Sequence, residues 1–164
     1  GTHRMPTKNV RAAMPGDAGT IVELVRSLAI YEKEPVETVQ LTESDVLRDG
    51  FGDSPRFEAL LAELDGKAVG FALFFHNYST WIGKPGLYLE DLYVEEQARG
   101  YGLGLDLMQE LARIAEERGC ARFELSVLDW NPTREFYHQL GFEDMDDWLS
   151  YRLTQPGIEK LARG

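Results

Sequence analysis

The stretch Gln97-Ala98-Arg99-Gly100-Tyr101-Gly102-Leu103-Gly104 decides how this chain is read. Before it, residues 87–94 (Leu-Tyr-Leu-Glu-Asp-Leu-Tyr-Val) read as a strand. After it, Leu103, Leu107, Leu111, Ile114 and Ala115 recur at helical spacing, with Gly119 as the stop. A glycine-rich turn between strand and helix exposes unpaired backbone N–H groups at the positive end of the helix dipole, which suits a diphosphate. Small residues let the backbone approach such a group closely, and Arg99 adds a fixed charge. The same spacing also fits a plain turn whose glycines meet only steric demands. Two other phosphate loops are excluded. A dinucleotide fingerprint requires glycine where Leu105 stands, and a P-loop requires a Lys-Ser or Lys-Thr pair that is absent. Hydride transfer and nucleotide hydrolysis lose support accordingly.

Outward from this loop, the elements alternate as in an α/β (α+β) chain. Residues 9–13 read as a first strand, and Asp17 precedes a helix to Tyr31 on which Ile21, Leu24, Val25 and Leu28 form an apolar stripe. Thr42-x-x-Asp45 resembles a capping box flanked by the staple residues Leu41 and Val46, so a second helix should run from Glu43 to near Gly50. Residues 57–64 and 68–77, separated by Asp65-Gly66, read as a hairpin. Past Gly119, residues 121–128 read as a strand. Asn131-Pro132 then supplies an N-cap and a first-turn proline for a helix ended by Gly141, and 147–153 read as a last strand.

The totals agree with one domain. A chain of 164 residues buries roughly two-thirds of its unfolded surface, and 43% apolar with 27% charged residues are globular proportions. No apolar run approaches the ~18 residues of a membrane span, so no membrane partner is expected. Residues 1–4 precede Met5 and read as the remnant of a tag, which leaves 5–164 as the domain. A net charge of −11 argues against nucleic acid and favours a cationic partner. Cys120 stands alone and sits on an apolar stretch, which favours core packing over nucleophilic chemistry and fits a cytoplasmic protein. His76 and His138 have no ligand-like spacing with cysteines or carboxylates, so no metal is expected.

The segment Gln97-x-x-Gly100-x-Gly102 resembles the acetyl-CoA pyrophosphate motif of the GNAT N-acetyltransferase superfamily. The likeness extends through Ala29-Ile30-Tyr31-Glu32, Asp49-Gly50-Phe51-Gly52, Trp81-Ile82-Gly83-Lys84, Tyr88-Leu89-Glu90-Asp91, Asp129-Trp130-Asn131 and Phe136-Tyr137 to the spermidine/spermine (diamine) N-acetyltransferase branch, thialysine N-ε-acetyltransferases included. Val127-Leu128-Asp129-Trp130-Asn131 looks closer to the thialysine type. The resemblance covers nearly the whole chain after Val10. It implies the GNAT fold, a central mixed and mostly antiparallel twisted sheet flanked by helices. It also implies a homodimer and an enzyme moving acetyl from acetyl-CoA to a primary amine of a small cationic molecule: a thialysine- or lysine-like amine, a diamine or a polyamine. The alternatives are an acyl-CoA-binding sensor without chemistry and a protein-lysine or N-terminal acetyltransferase.

The resemblance assigns roles residue by residue, and the chemistry shows why these residue types suit them. An amine of pKa about 10.4 is protonated at pH 7, and freeing it costs about 4.6 kcal/mol. Glu90 is the candidate base, acting through water, or alternatively an electrostatic anchor for the cation. Tyr137 matches the family's general acid for the departing thiolate, because a phenol donates a proton without prior ionisation. The backbone of Leu92, Tyr93 and Val94 is expected to pair with the pantetheine arm as an added strand would. Gln97, Arg99, Gly100, Tyr101, Gly102, Leu103 and Gly104 would hold the diphosphate. Asn131 would both cap its helix and bond CoA. Tyr31, Glu32, Trp81, Glu90, Asp91 and Trp148 resemble the family's acidic and aromatic amine pocket.

Overall fold

The computed structural model describes residues 4–164; residues 1–3 of the expected tag remnant lie outside the described residues. The described chain forms two compact units, one ending at Ser126 and one spanning Val127–Gly164.

The first unit is an α+β arrangement around a five-stranded sheet in the order β1-β2-β3-β4-β5. Its strands are β1 (Lys8–Ala12), β2 (Glu58–Leu64), β3 (Lys67–Ser79), β4 (Lys84–Val94) and β5 (Arg122–Leu125). The first four are antiparallel to their neighbours and β5 is parallel to β4, so the sheet is mixed and mostly antiparallel. Asp65 and Gly66 both have positive φ, 48° and 79°, as a two-residue hairpin loop requires. Three helices complete the unit: α1 (Ala18–Tyr31), α2 (Glu43–Phe51) and α3 (Leu103–Glu117). The Thr42 hydroxyl accepts from the Asp45 amide and the Asp45 carboxylate accepts from the Thr42 amide, a complete capping box.

Strand periodicity divides the core between the two faces of the sheet. Leu61, Phe71 and Leu73 point toward α1 and α2, where they pack with Ile21, Leu24, Leu28 and Val46. The alternate residues Leu60, Ala72 and Phe74 are buried on the other face, the side left for Leu103, Leu107 and Leu111 of α3. Burying each such leucine stabilises by about 1.5–3 kcal/mol.

One irregularity in β4 re-aims its side chains. Leu73 pairs with Asp91 and Phe74 with Leu89, so Glu90 is an extra, bulged residue. Leu89 and Leu92 therefore share the α3 face, while Tyr88, Asp91 and Tyr93 share the α1 face opposite Phe75, Leu73 and Phe71. The alternation of residues 87–94 predicts an unbroken strand, in which Leu89 and Asp91 would have shared a face. β5 is also shorter than the expected 121–128: its ladder covers only Gly86–Leu89 of β4, and it ends at Leu125.

In the second unit, α4 (Thr133–Gln139) begins one residue later than expected, with Pro132 at its N-cap, and Asn131 Oδ1 accepts from the Thr133 amide at 2.9 Å. Gly141, at φ 101°, follows its end. The expected strand at 147–153 does not form. Leu149, Tyr151 and Leu153 have strand-like alternation, but this unit offers no second strand for a ladder, and all three side chains are exposed. The sequence reading also missed α5 (Gln155–Arg163), which has Pro156 in its first turn and Lys160 and Arg163 in its last.

Candidate active site

The glycine loop enters α3 through left-handed backbone, Gly100 at φ 93° and Gly102 at φ 77°. Nothing lies within 4 Å of a Cβ built on Gly100, and only Lys8 Nζ, at 3.6 Å, lies that near one built on Gly102. Backbone conformation, not crowding, therefore demands glycine at both positions. The Asp106 amide makes the first helical bond, to Gly102 O, so the amides of Leu103, Gly104 and Leu105 precede any intrahelical acceptor. Lys8, absent from the sequence-based assignment, clamps the loop from β1: its Nζ donates to Tyr101 O at 2.9 Å and pairs with Asp106 at 2.9 Å. Nothing local in the sequence links residues so far apart. Gln97 donates to Glu95 at 2.6 Å within the short turn before the loop.

Beside the loop, β4 passes its last β5 partner at Leu89, and residues 90–94 have no strand on that side among the described residues. This open edge includes Leu92, Tyr93 and Val94. Arg99 closes one point of it, donating from Nε to Val94 O at 3.1 Å. The Arg99 guanidinium lies 4.8 Å from the Tyr31 ring centre and 5.9 Å from that of Tyr93, so it stacks on aromatic faces. The two tyrosine rings are 6.1 Å apart.

That stack joins the C-terminal end of α1 to the α1 face of β4, and the carboxylates gather there. Glu32 caps α1; burial, with Glu34 adding to it, raises its pKa above the ordinary carboxylate range. The Asp91 carboxyl is pushed up to about 7, first by burial and then by the charges of Glu90 and Glu32. Glu90, carried outward by the bulge, is exposed. The structure thus brings together Tyr31, Glu32, Glu90 and Asp91 among the expected pocket residues.

Trp81 stands apart from them. It is 84% exposed in the β3–β4 turn, and Lys84 to Asp91 spans about 20 Å at ~3.3 Å per strand residue. In the second unit, Trp148 is 68% exposed and Tyr137 is buried, its ring edge-on to Phe136 and Phe142 at 5.3 and 5.9 Å. His76 is held between Gly86 O and Arg118, and His138 bonds Asp144 at 2.7 Å.

A glycine loop with unpaired helix-terminal amides, continuous with an open strand edge and flanked by carboxylates, is a setting suited to a diphosphate-bearing ligand beside a cationic one. The chain belongs to the acetyltransferase (GNAT) family, whose model matches residues 24–142, and it is an acetyl-CoA-dependent N-acetyltransferase. It is 38% identical to the thialysine N-ε-acetyltransferase of Sus scrofa over 93% of this chain and 96% of that protein. Against the L-ornithine N5-acetyltransferase of Arabidopsis thaliana it is 36% identical over 60% of this chain and 44% of that protein. Among solved structures, an integron cassette protein from the mobile metagenome of V. cholerae superposes with a TM-score of 0.79 at 25% identity, covering 96% and 98% of the two chains. An aminoglycoside acetyltransferase from soil metagenomic DNA, at 17% identity and TM-score 0.74, shares the fold over 90% of this chain and 96% of its own.

Proposed function

We propose that the enzyme acetylates a primary amine of a small cationic molecule, a thialysine- or lysine-like amine, a diamine or a polyamine. The observation that carries this reading is the convergence of Glu32, Glu90 and Asp91 beside the Tyr31 and Tyr93 rings, a setting that attracts ammonium groups. The thialysine- and ornithine-acetylating relatives support the same substrate class.

In this reading Gly100–Gly104, with Gln97 and Arg99, hold the diphosphate, and the open edge at Leu92–Val94 receives the pantetheine amides. Asn131 bonds CoA in addition to capping α4. Tyr31, Glu32, Asp91 and Trp148 recognise the amine. Glu90 either accepts the proton through water or anchors the cation, and Tyr137 protonates the leaving thiolate. Residues 5–164 act as one functional domain in a cytoplasmic homodimer that needs no metal; no helix among the described residues is long and apolar enough to cross a membrane. Thiol release from acetyl-CoA, measured with thialysine, lysine, ornithine, putrescine, spermidine and a lysine peptide, tests the substrate class. Turnover of the small amines is expected. Turnover of the peptide alone, or binding of acetyl-CoA without any turnover, contradicts the proposal.

A further inference from the structure

We infer that Glu124 is a specificity-determining residue: it holds a second ammonium of the substrate, about 8 Å from Asp91, across the Phe75 and Tyr88 rings. The inference rests on the proposed amine acetylation and deepens it by naming a substrate with two amino groups.

The core formed with α1 and α2 does not extend across the whole of that sheet face. Phe71, Leu73 and Tyr93 belong to it. The next residues on the same face are Phe75 of β3 and its ladder partner Tyr88 of β4, which lie outside that core and stay partly exposed. Their rings stack at 5.2 Å, and the Tyr88 hydroxyl bonds Ser126 Oγ at 2.7 Å, which fixes the ring over β4. Beside Tyr88, β5 places Glu124 in register on the same face.

Asn77 reaches Glu124 from two strands away. Its ladder partner is Gly86, where a Cβ would collide with Asn77 Oδ1. The missing side chain lets the Asn77 amide lie across β4 and donate from Nδ2 to Glu124 Oε1 at 3.3 Å. An amide orients a carboxylate without neutralising it, so the negative charge remains for a cation. Arg122, the preceding residue on this face, is in register with Gly86, one step further from Asp91, and is exposed to solvent.

Spacing then selects the substrate. Asp91 stands opposite Leu73 and Tyr88 opposite Phe75, so two residue steps, about 6.8 Å along the strands, separate them. Glu124 lies one strand further, about 4.8 Å to the side. The diagonal is about 8 Å, and side chains standing off one sheet face keep roughly that separation. An extended chain advances about 1.25 Å per bond, so the nitrogens of the five-carbon diamine cadaverine lie about 7.5 Å apart and those of the three-carbon trimethylenediamine about 5 Å. The two nitrogens of lysine and of thialysine are as many bonds apart as those of cadaverine. With one nitrogen beside Glu90 and Asp91, a five-carbon chain crosses the Phe75 and Tyr88 rings and brings its second ammonium to Glu124. A three-carbon chain falls short.

Thiol release from acetyl-CoA, measured with trimethylenediamine, putrescine and cadaverine, each beside the monoamine of the same chain length, tests this in wild type, Glu124→Gln and Glu124→Asp. Contact with the rings favours longer chains in both series, so the ratio of kcat/KM for a diamine to that for its monoamine isolates the second charge. In wild type this ratio should be about three- to tenfold higher for cadaverine than for trimethylenediamine. Glu124→Gln should erase that difference through KM for cadaverine, and Glu124→Asp, which keeps the charge one methylene shorter, should erase less of it. A wild-type ratio independent of chain length overturns the inference without recourse to any variant. So does a Glu124→Gln enzyme that keeps the wild-type difference, or one in which diamines and monoamines fall by the same factor, the mark of a structural role. Absence of turnover by wild type with every diamine and monoamine instead sinks the parent reading.

Discussion

Replacing Gly102 with valine separates backbone conformation from contact as the reason for glycine at the mouth of the CoA loop. Gly102 sits at φ 77°, where an ordinary L-residue costs about 1–2 kcal/mol and a β-branched one more. A Cβ there would meet only Lys8 Nζ at 3.6 Å, so no core atom is displaced. Set against a typical stability of about 5–15 kcal/mol, this strain leaves the fold standing. It does rotate the peptide planes that aim the amides of residues 103–105. Acetyl-CoA at a hundredfold its dissociation constant stabilises wild type by about 2.7 kcal/mol, and for a chain of this size that raises Tm by about 5–11 °C. If Gly102→Val weakens binding a hundredfold, the same ligand concentration yields about 0.4 kcal/mol, a shift of roughly 1 °C. Gly102→Asn, which tolerates left-handed backbone, should retain most of the shift. Thermal denaturation with and without acetyl-CoA reads both variants. A valine variant that keeps the full shift would refute the loop as the diphosphate site, and loss of the shift in the asparagine variant would refute the conformational argument.

Three further outcomes follow from other parts of the molecule. Lys8→Met removes the clamp on Tyr101 O and Asp106; as a partly exposed ion pair it should cost no more than about 1 kcal/mol of stability, while KM for acetyl-CoA rises roughly 3–10-fold in steady-state kinetics. Tyr137→Phe keeps the ring against Phe136 and Phe142, and kcat should fall by about 10²–10⁴ in single-turnover assays with little change in acetyl-CoA affinity. Because the Asp91 carboxyl is raised in the folded state, the native protein holds a proton there between about pH 4 and 7 that the unfolded chain has lost. Asp91 therefore lowers stability as pH rises through that window, so Asp91→Asn should raise Tm at pH 8 and have little effect at pH 4, measured by calorimetry.

The parts of this structure legible in the sequence are those fixed by local chemistry. Thr42 and Asp45 cap α2 within one turn, Asp65-Gly66 supplies the two positive φ angles of a hairpin, and Asn131 bonds an amide two residues on. Each signal depends on neighbours along the chain. The bulge at Glu90 depends instead on register against β3, and residues 87–94 alternate without any mark of it. Residues 147–153 alternate like a strand yet lack a partner within their unit, whereas Gln155–Arg163 forms a helix although Pro156 and Gly157 weaken its signal. In the candidate site, the glycine loop and the acidic residues could be named from sequence. Which carboxylate is buried, and what Lys8 does, required strands and helices distant in the chain to meet.

The account's central claim is that carboxylates at the C-terminal end of α1 select a cationic amine for acetylation. Glu32→Gln tests it most directly, through the Michaelis constants of both substrates in one assay. The account predicts that KM for thialysine rises about tenfold, the effect of losing ~1.4 kcal/mol of charge attraction, while KM for acetyl-CoA stays within about twofold and added salt weakens thialysine binding to wild type. Equal changes in both constants, or no change in either, would contradict it.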